Sequence, residues 1–445
     1  MSATRMEELE GLFKQFPNVP REVIIKNDLL RLGIRFSDKA LLIAKQSSTG
    51  ADRGVIFSIA KVKYDELPKE HALYAPLSIW IEGGIYDLRR TIFENRLNPT
   101  TPYIIDEIDN QLTLCADGKP LAKVKYPEVP EYYAKQFEDG TYYHEVLPMN
   151  SWNLFAFNVA LRYCQLWKDH GQCKFCDINM HARQKTSDGE LYTKRKAYKD
   201  AERVAQVAEE IFLNQDIQTH EKRTLAVFIT GGTILNEIDG KNEEQFYLEQ
   251  VEAIRNKIGH RWPIILQTGA RSKEVCRQYR DAGVNLHSAN LEVWDKNIFH
   301  WICPGKEKYV GRDEWIRRLI ESVDVLGEGH VTTNFVTGVE MAKPFGFKTM
   351  NAALKSTTEG LDYLMSHGVI PKFDVWNISP LSDLADNTPP PLEYYVRLDQ
   401  AWCEIWTKYN LPQIDATGPM GPGRSLDFVS AHKDMDSVVC AQACR

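Results

Sequence analysis

Three cysteines lie close together in one short stretch of a 445-residue chain that has nine cysteines in all. Cys164, Cys173 and Cys176 follow the spacing C-x8-C-x2-C. Thiolates are soft metal ligands. The N-terminal segment "MSATRMEELEGLFKQF" lacks the pattern of a signal or transit peptide, so we expect a cytoplasmic protein with reduced thiols. Three unligated thiols would be a chance cluster, and the spacing therefore predicts a metal site.

Two kinds of metal site agree with this spacing. The first is structural zinc, with His170 or His181 as the fourth ligand of a Cys₃His set. The second is a [4Fe–4S] cluster held by three cysteines, whose fourth iron stays open for a ligand from outside the protein. The cysteine spacing alone leaves both alternatives open.

The elements that position these residues form a repeating pattern from about residue 150. Short apolar runs alternate with amphipathic helical segments, for example a helix capped by Ser272. The predicted strands are 154–161, 225–230, 263–269, 284–293, 332–339 and 372–378. Such alternation predicts an α/β fold with a parallel sheet, closed or partly closed as a (β/α)6-8 TIM-like barrel.

The regions outside this pattern suggest three parts. Residues 1–148 combine strand-like runs with turn signals, which indicates a mixed or β-rich accessory region. Residues 149–402 form the predicted barrel core. Residues 403–445 are expected to be a C-terminal extension, with a Gly/Pro-rich stretch that could act as a lid over the barrel mouth.

Polar and glycine-containing motifs follow each predicted strand, where the sites of such folds lie. After the cysteine loop come TGGT (230–233), QTG (267–269), NLE (290–292), TGVE (337–340) and SPLSDL (379–384). Each motif alone has an ordinary explanation: Gly231–Gly232 as a strand-end turn, Glu292 as a rim carboxylate, Phe175 as a packing residue. Their order indicates that they converge on one rim.

In this order the motifs resemble those of the radical S-adenosylmethionine (radical SAM) enzymes, in particular the biotin-synthase-like branch, over roughly 150–402. The resemblance implies that the three cysteines bind a [4Fe–4S] cluster and that Phe175 packs near the adenine of SAM. It implies that the backbone of Gly231–Gly232 binds the SAM amino group. Thr233 stands where the family often has glutamate.

The same resemblance assigns roles to residues on the later strands. Asn290 and Glu292 would meet the ribose hydroxyls, and Gln267 would touch SAM or substrate. Gly338, with Glu340, represents the turn of the fifth strand, and Ile378 would edge the adenine. One departure concerns the cysteine loop, because the usual spacing is C-x3-C-x2-C. The five extra residues within "QLWKDHGQ" could reshape the approach to the cluster.

The resemblance implies an enzyme that cleaves SAM reductively to a 5′-deoxyadenosyl radical, which abstracts hydrogen from a small-molecule substrate in a biosynthetic reaction. Insertion, methylation, rearrangement and carbon–carbon chemistry all stay open. A low-potential electron donor such as flavodoxin or ferredoxin is the expected partner. The alternative is a non-catalytic zinc- or Fe–S-binding barrel that acts as a scaffold or cluster carrier.

Two further features have weaker support. Cys440 and Cys444 could hold an auxiliary metal or a second Fe–S cluster with Cys303 or Cys403, or be thiols on a tail. Arg424 could meet an anionic group of the substrate, or lie in a surface loop. The net charge of −7 and the absence of basic clusters and long apolar runs argue against nucleic-acid and membrane partners.

Overall fold

Two large β-sheets and a small pair of strands, β2 with β5, organise the described residues in this computed structural model. The structure describes residues 4–47, 57–58, 75–150, 152, 154–181, 197–214, 226–412, 420–425 and 427–436. The strands are β1 (Arg35–Phe36), β2 (Phe57–Ser58), β3 (Ser78–Gly83), β4 (Leu88–Glu94), β5 (Arg96–Leu97), β6 (Tyr103–Ile108), β7 (Gln111–Ala116), β8 (Lys119–Lys125), β9 (Met149–Asn150), β10 (Phe155–Leu161), β11 (Ala226–Gly231), β12 (Ile264–Gln267), β13 (Leu286–Ser288), β14 (Val331–Thr337) and β15 (Ile370–Val375).

Helices flank both sheets. They are α1 (Arg5–Gln15), α2 (Arg21–Leu32), α3 (Asp38–Ser47), α4 (Tyr143–Val146), α5 (Ile178–His181), α6 (Ala201–Glu209), α7 (Glu243–Ile258), α8 (Lys273–Asp281), α9 (Lys296–Ile302), α10 (Pro304–Tyr309), α11 (Arg312–Leu326), α12 (Met350–Met365) and α13 (Leu392–Tyr409). Local sequence explains several of their ends. Ser272 caps α8 through a hydrogen bond to the Val275 N–H, and Gly259 ends α7 with a positive φ.

The larger sheet is a curled half-barrel of seven strands in the order β15-β14-β13-β12-β11-β10-β9. The six strands from β10 to β15 are parallel, and β9 pairs antiparallel with β10. This arrangement confirms the predicted six-stranded parallel fold and its partial barrel. Because the strands are parallel, their carboxyl ends meet at one rim, as the motif order required.

The N-terminal sheet is antiparallel except at one edge, in the order β1-β6-β7-β8-β3-β4. Two tight turns fold its hairpins. Asp109 and Asn110 both have positive φ between β6 and β7, and Asp117 and Gly118 do so between β7 and β8. Asp, Asn and Gly tolerate this conformation best, which explains the turn signals in the sequence. The accessory region thus contains both helices and a β-sheet.

The N-terminal region and the half-barrel share one hydrophobic core, which runs from Val23 on α2 to Trp402 on α13. Polar contacts join the same elements. Lys26 on α2 forms a buried ion pair of 2.7 Å with Asp434, and Asn27 donates to Asp399 on α13 at 2.6 Å. The predicted boundary at residue 402 falls inside α13.

One described segment of the C-terminal extension, 427–436, is largely buried between the two sheets. The Glu94 N–H of β4 donates to the Phe428 carbonyl at 2.7 Å, and the Val375 N–H of β15 donates to the Val429 carbonyl at 3.1 Å. This segment therefore fastens one sheet to the other. Within the described residues, the helices are too short or too polar to cross a bilayer.

Candidate functional site

Strand β10 leads directly into the cysteine loop. Immediately after the strand, Cys164 is held by the side chain of Asn179 on α5. The Cys164 N–H donates to Asn179 Oδ1 at 2.7 Å, and Asn179 Nδ2 donates back to the Cys164 carbonyl at 3.0 Å. These two hydrogen bonds fix the backbone of Cys164 and therefore the position from which its thiol extends. Asn179 carries no distinguishing signal in the sequence, and sequence reasoning missed it.

The TGGT motif lies directly against the cysteine loop. The Gln165 N–H donates to the Thr233 carbonyl at 2.8 Å, and the Thr233 N–H donates to Cys164 Sγ at 3.4 Å. Gly232 has no room for a side chain, because a Cβ there would overlap the Tyr163 carbonyl and lie 2.5 Å from Cys164 Cα. The predicted glycine pair and the predicted cysteine are therefore direct neighbours.

The three thiols of the loop influence one another. Burial raises the pKa of Cys164, and the hydrogen bond from the Thr233 N–H partly offsets this increase. Burial and the neighbouring Cys173 hold the pKa of Cys176 well above its usual range. The Cys176 N–H also donates to the Cys173 carbonyl at 2.9 Å, which closes the turn between them. The three thiols thus lie close enough for their charges to affect one another.

A fourth thiol, Cys303, lies at the junction of α9 and α10 and contacts this loop. It is fully buried. Its thiol donates to Cys173 and lowers the pKa of Cys173, while burial and Cys173 raise the pKa of Cys303. The Lys174 N–H donates to the Ile302 carbonyl at 2.8 Å, which holds the two segments together. Because Cys303 lies 127 positions after Cys176 in the sequence, spacing rules could not place it here.

Glu292 of the NLE motif is paired with a buried lysine that sequence reasoning also missed. Lys306 Nζ lies 2.6 Å from Glu292 Oε1 and donates to the Asn290 carbonyl at 2.7 Å. Burial alone would lower the pKa of Lys306, but Glu292 and the thiols of Cys173 and Cys303 together raise it. Lys306 therefore places a positive charge beside the cysteine loop.

The residues inserted between the first two cysteines pack onto α10. The Gly305 N–H donates to the Gly171 carbonyl at 3.0 Å, and a Cβ on Gly171 would lie 2.5 Å from the Leu166 carbonyl. Lys308 and Asp169 lie 3.8 Å apart across the same contact. The longer loop is thus held against the barrel wall at the α9–α10 junction.

A ladder of polar side chains crosses the rim of the half-barrel. Thr230 Oγ1 donates to Gln267 Oε1 at 2.7 Å, and Gln267 Nε2 donates to Asn290 Oδ1 at 3.1 Å. These residues come from the ends of β11, β12 and β13. Gln267 and Asn290 therefore lie side by side, as the common rim predicted.

Gly338 and Glu340 form a closed turn after β14. Glu340 is buried and accepts the Gly338 N–H at 2.7 Å, the Thr357 hydroxyl at 3.1 Å and the hydroxyl of Tyr394. Gly338 has a φ of 103°, and a Cβ there would lie 2.6 Å from the Tyr395 hydroxyl. In the structure, the Glu340 carboxylate holds this turn to α12 and α13.

The loop after β15 ties the sixth strand to the cysteine loop. The Ser379 hydroxyl donates to Asp177, and Asp383 accepts from Lys174 at 3.1 Å. Ile378 is buried in the core, and Phe175 is partly exposed and packs against the same core. Phe175 and Ile378 thus lie on two loops that contact each other, as expected if both border one ligand.

Several predicted residues lie away from this site or outside the described residues. Cys440 and Cys444 are outside them, and so is the side chain of His181. His170 is exposed on the inserted loop, and Cys403 is buried in α13. Arg424 is exposed beside Gly423, whose carbonyl accepts from Arg90 of β4 at 3.2 Å. The roles predicted for these residues stay predictions.

The cysteine thiols at the rim are suitable ligands for an iron–sulfur cluster. They do not surround a common metal position in this structure. Among the described residues, no group of three or more His, Cys, Asp and Glu side chains stands close enough to hold a metal ion. Cys164, Cys173 and Cys176 nevertheless interact with one another, and Thr233 already donates a backbone hydrogen bond to sulfur. Thiolates with amide donors are the usual surroundings of such clusters.

Comparison with known proteins gives a partial sequence match. No family model matches the chain. A bacteriochlorophyllide c C-7(1)-hydroxylase from Chlorobaculum limnaeum is 29% identical over 132 residues, which cover 30% of this chain and 30% of that protein. The chain thus matches less than a third of the length of this curated relative.

Comparison with solved structures finds radical SAM enzymes at low identity. A radical SAM methyltransferase from Sphaerobacter thermophilus has 14% identity and a TM-score of 0.36, covering 69% of this chain and 76% of its own. Coproporphyrinogen III oxidase from Escherichia coli, described as a radical SAM enzyme, has 13% identity and a TM-score of 0.33, covering 57% and 52%. Because both TM-scores are below 0.5, the fold assignment rests on the strand order itself. The chain resembles the radical SAM enzymes, and the resemblance predicted from its motifs is confirmed.

Proposed function

We propose that this chain is a radical SAM enzyme that binds a [4Fe–4S] cluster through Cys164, Cys173 and Cys176. When bound, the cluster would supply the electron that splits SAM into methionine and a 5′-deoxyadenosyl radical. The substrate would be a small molecule that loses a hydrogen atom, and the protein would work in the cytoplasm. The curated relative is named as a hydroxylase, so hydroxylation joins the reactions to be tested.

The observation that carries this proposal is the direct contact between the cysteine loop and the TGGT motif. Thr233 donates to Cys164 Sγ, and Gly232 lies against the backbone of the same cysteine. A ligand that binds the open iron would therefore reach the backbone of the glycine pair as well. This is the arrangement that recognition of the SAM amino group would need.

Other residues of the chain would orient the ligand and the substrate. The ladder of Gln267 and Asn290 offers amide groups at the rim, next to the glycine pair. Asn334 on β14 pairs in register with Lys372 on β15. These polar groups would bind the substrate below the rim, where the half-barrel excludes water.

A second candidate function rests on Cys303. With this residue the rim holds four cysteines, which is the number that a closed structural site uses. In that case the fourth position is filled by protein, and the chain would be a zinc- or Fe–S-binding scaffold or cluster carrier. Two observations favour the open site. The Cys303 thiol interacts with Cys173 and, through charge, with Lys306 and Glu292. Burial raises the pKa of Cys176, and the thiols of Cys173 and Cys164 raise it further.

Metal analysis of three proteins tests the proposal. After anaerobic reconstitution, the wild-type chain should hold about four irons and no stoichiometric zinc. Cys176→Ala should lose most of this iron. Cys115→Ala is the matched control, because Cys115 is a buried cysteine on β7 of the other sheet and should leave the iron content unchanged. One zinc per wild-type chain, without iron, would rule out the proposed enzyme.

A further inference from the structure

A buried tyrosine of α7, Tyr247, contacts the glycine pair of the TGGT motif. Its hydroxyl donates to the Gly232 carbonyl at 2.9 Å, and its side chain has no exposed surface. A Cβ on Gly231 would lie only 2.6 Å from the Tyr247 hydroxyl oxygen. The two glycines therefore leave room for two different neighbours: Gly232 for the backbone of Cys164, and Gly231 for this hydroxyl.

The peptide unit between Gly232 and Thr233 connects the tyrosine to the first cysteine of the loop. Its carbonyl accepts the Tyr247 hydroxyl, and its N–H donates to Cys164 Sγ at 3.4 Å. This peptide unit is trans. Because a trans peptide is planar and rigid, its C=O and N–H point in opposite directions. A rotation of this unit would therefore change both hydrogen bonds together.

A second residue of α7 holds the next peptide of the same loop. Glu243 lies four positions before Tyr247, on the same face of the helix. Its carboxylate accepts the Ile234 N–H at 2.7 Å and forms a buried ion pair with Arg271. Two successive peptides after Gly232 thus have a partner on α7, and the helix supports the loop at both.

The Tyr247 hydroxyl stays protonated and can act as a donor throughout the neutral pH range. Burial holds the pKa of Tyr247 well above its usual range, and the charge of Glu243 raises it further. The thiol of Cys164 acts in the same direction, which shows that this thiol and the tyrosine lie near each other. The hydrogen bond to the Gly232 carbonyl is therefore a permanent feature of the folded chain.

The direction of the Thr233 N–H matters for a cluster ligand. Hydrogen bonds to ligand sulfurs are among the factors that set the reduction potential of an iron–sulfur cluster. Such a donor stabilises the more negative, reduced state and so raises the potential. A hydrogen bond weakens steeply when its angle falls below about 120°. A group that fixes the orientation of this peptide therefore also affects the sulfur that the peptide donates to.

We infer that Tyr247 is a positioning residue of the cluster site. It holds the Gly232–Thr233 peptide so that the Thr233 N–H points at Cys164 Sγ, and it thereby raises the reduction potential of the cluster. This inference rests on the proposed function, which places the cluster on Cys164. Tyr247 acts through the peptide alone, and no bond forms or breaks at its hydroxyl.

The test compares Tyr247→Phe with Tyr132→Phe, a matched control. Tyr132 is also fully buried, and its hydroxyl donates to a backbone carbonyl, that of Leu147, at 2.7 Å. Leu147 lies just before β9, which pairs with the first residues of β10, whereas the cysteine loop follows the last ones. Each variant loses one buried hydrogen bond from a tyrosine to a carbonyl, so both should lose similar stability in urea denaturation.

Only Tyr247→Phe should change the cluster site. Its iron content after reconstitution should equal that of the wild type, and its reduction potential should shift downward in a redox titration followed by EPR. Amide hydrogen exchange of the peptide that contains Thr233 should become about two- to tenfold faster, the effect expected for one lost hydrogen bond. Tyr132→Phe should match the wild type in both measurements. Equal potentials and exchange rates in all three proteins, or equal changes in both variants, would overturn the inference.

Failure of the proposed function gives a different pattern. SAM cleavage driven by dithionite is measured in the same three proteins. If none of them cleaves SAM while potential and exchange respond to Tyr247→Phe alone, the positioning role stands and the enzymatic proposal is wrong. If the wild type cleaves SAM but potential and exchange ignore Tyr247→Phe, the enzyme stands and the positioning role is wrong.

Discussion

Substitution of Gly232 by alanine should disconnect the glycine motif from the cysteine loop. A Cβ at this position would overlap the Tyr163 carbonyl and lie 2.5 Å from Cys164 Cα. Carbon atoms rest about 3.5–4.0 Å apart. The backbone at Cys164 would thus have to move by about 1 Å, and both obstacles are main-chain atoms that no rotamer change can remove.

The structure allows an estimate of the size of this effect. Added atoms in a packed region cost about 1–3 kcal/mol and occasionally more. Because the displaced backbone also carries the bonds of Asn179 and Thr233 to Cys164, we expect a loss near the upper end, about 3 kcal/mol in the free energy of unfolding. The iron bound after reconstitution should fall by at least half, since Cys164 moves from its place.

Gly269→Ala is the matched control. Gly269 is also a rim glycine, at the end of β12, but a Cβ there would find its nearest neighbour at 3.6 Å, an ordinary contact with Trp315. We expect a change within about 1 kcal/mol, since Gly→Ala at a compatible site is often mildly stabilising. Urea denaturation and iron analysis of both variants provide the assay. If Gly232→Ala keeps the wild-type stability and iron content, the close contact between the two motifs is wrong.

Two further predictions follow from buried groups. Cys303→Ala should leave the iron content at the wild-type level. It should lower the reduction potential of the cluster, because Cys173 loses a hydrogen-bond donor. A redox titration followed by EPR measures this potential, and a loss of iron would instead favour the four-cysteine site. Asp374→Asn should stabilise the fold at pH 8–9 by on the order of 5 kcal/mol, since the pKa of Asp374 lies about four units above its ordinary value. Burial, Asp427 and Glu94 raise the pKa of Asp374 to about 8, and Arg96 opposes this. The free energy of unfolding of the wild type should therefore fall between about pH 4 and 8, whereas that of the variant should not. Equal pH profiles of the two proteins in urea denaturation would contradict this.

The sequence was sufficient to predict the barrel because its strands are short apolar runs that alternate with helices. All six predicted strands are present, and the parallel order brings their ends to one rim. The glycine pair and the cysteine loop were predicted to meet for the same reason, and Gly232 does lie against Cys164. Periodicity and strand direction were enough for this part of the site.

The contacts that complete the site could not be predicted, because they join residues far apart in the chain. Cys303 and Lys306 reach the cysteine loop only through the packing of α9 and α10. The bond of Asn179 to Cys164 depends on the turn that follows Cys176. Side-chain pairing of this kind follows from tertiary structure, whereas sequence spacing reports only local structure.

The buried tail was unexpected for a similar reason. The Gly/Pro-rich stretch was interpreted as a possible lid or a surface loop, and that role stays a prediction. Residues 427–436 insert between the two sheets, where Lys26 pairs with Asp434. Two partners of this segment, α2 and β4, lie more than 300 residues earlier in the sequence. Composition indicated a loop and gave no information about the groove that would receive it.

The most direct test of the central claim is the formation of 5′-deoxyadenosine. The reconstituted chain is incubated anaerobically with SAM and dithionite, and the product is quantified by mass spectrometry in the wild type and in Cys176→Ala. The account predicts 5′-deoxyadenosine and methionine from the wild type and neither from the variant. Intact SAM with a wild-type chain that carries about four irons would contradict it, and would leave a cluster-binding half-barrel without this chemistry.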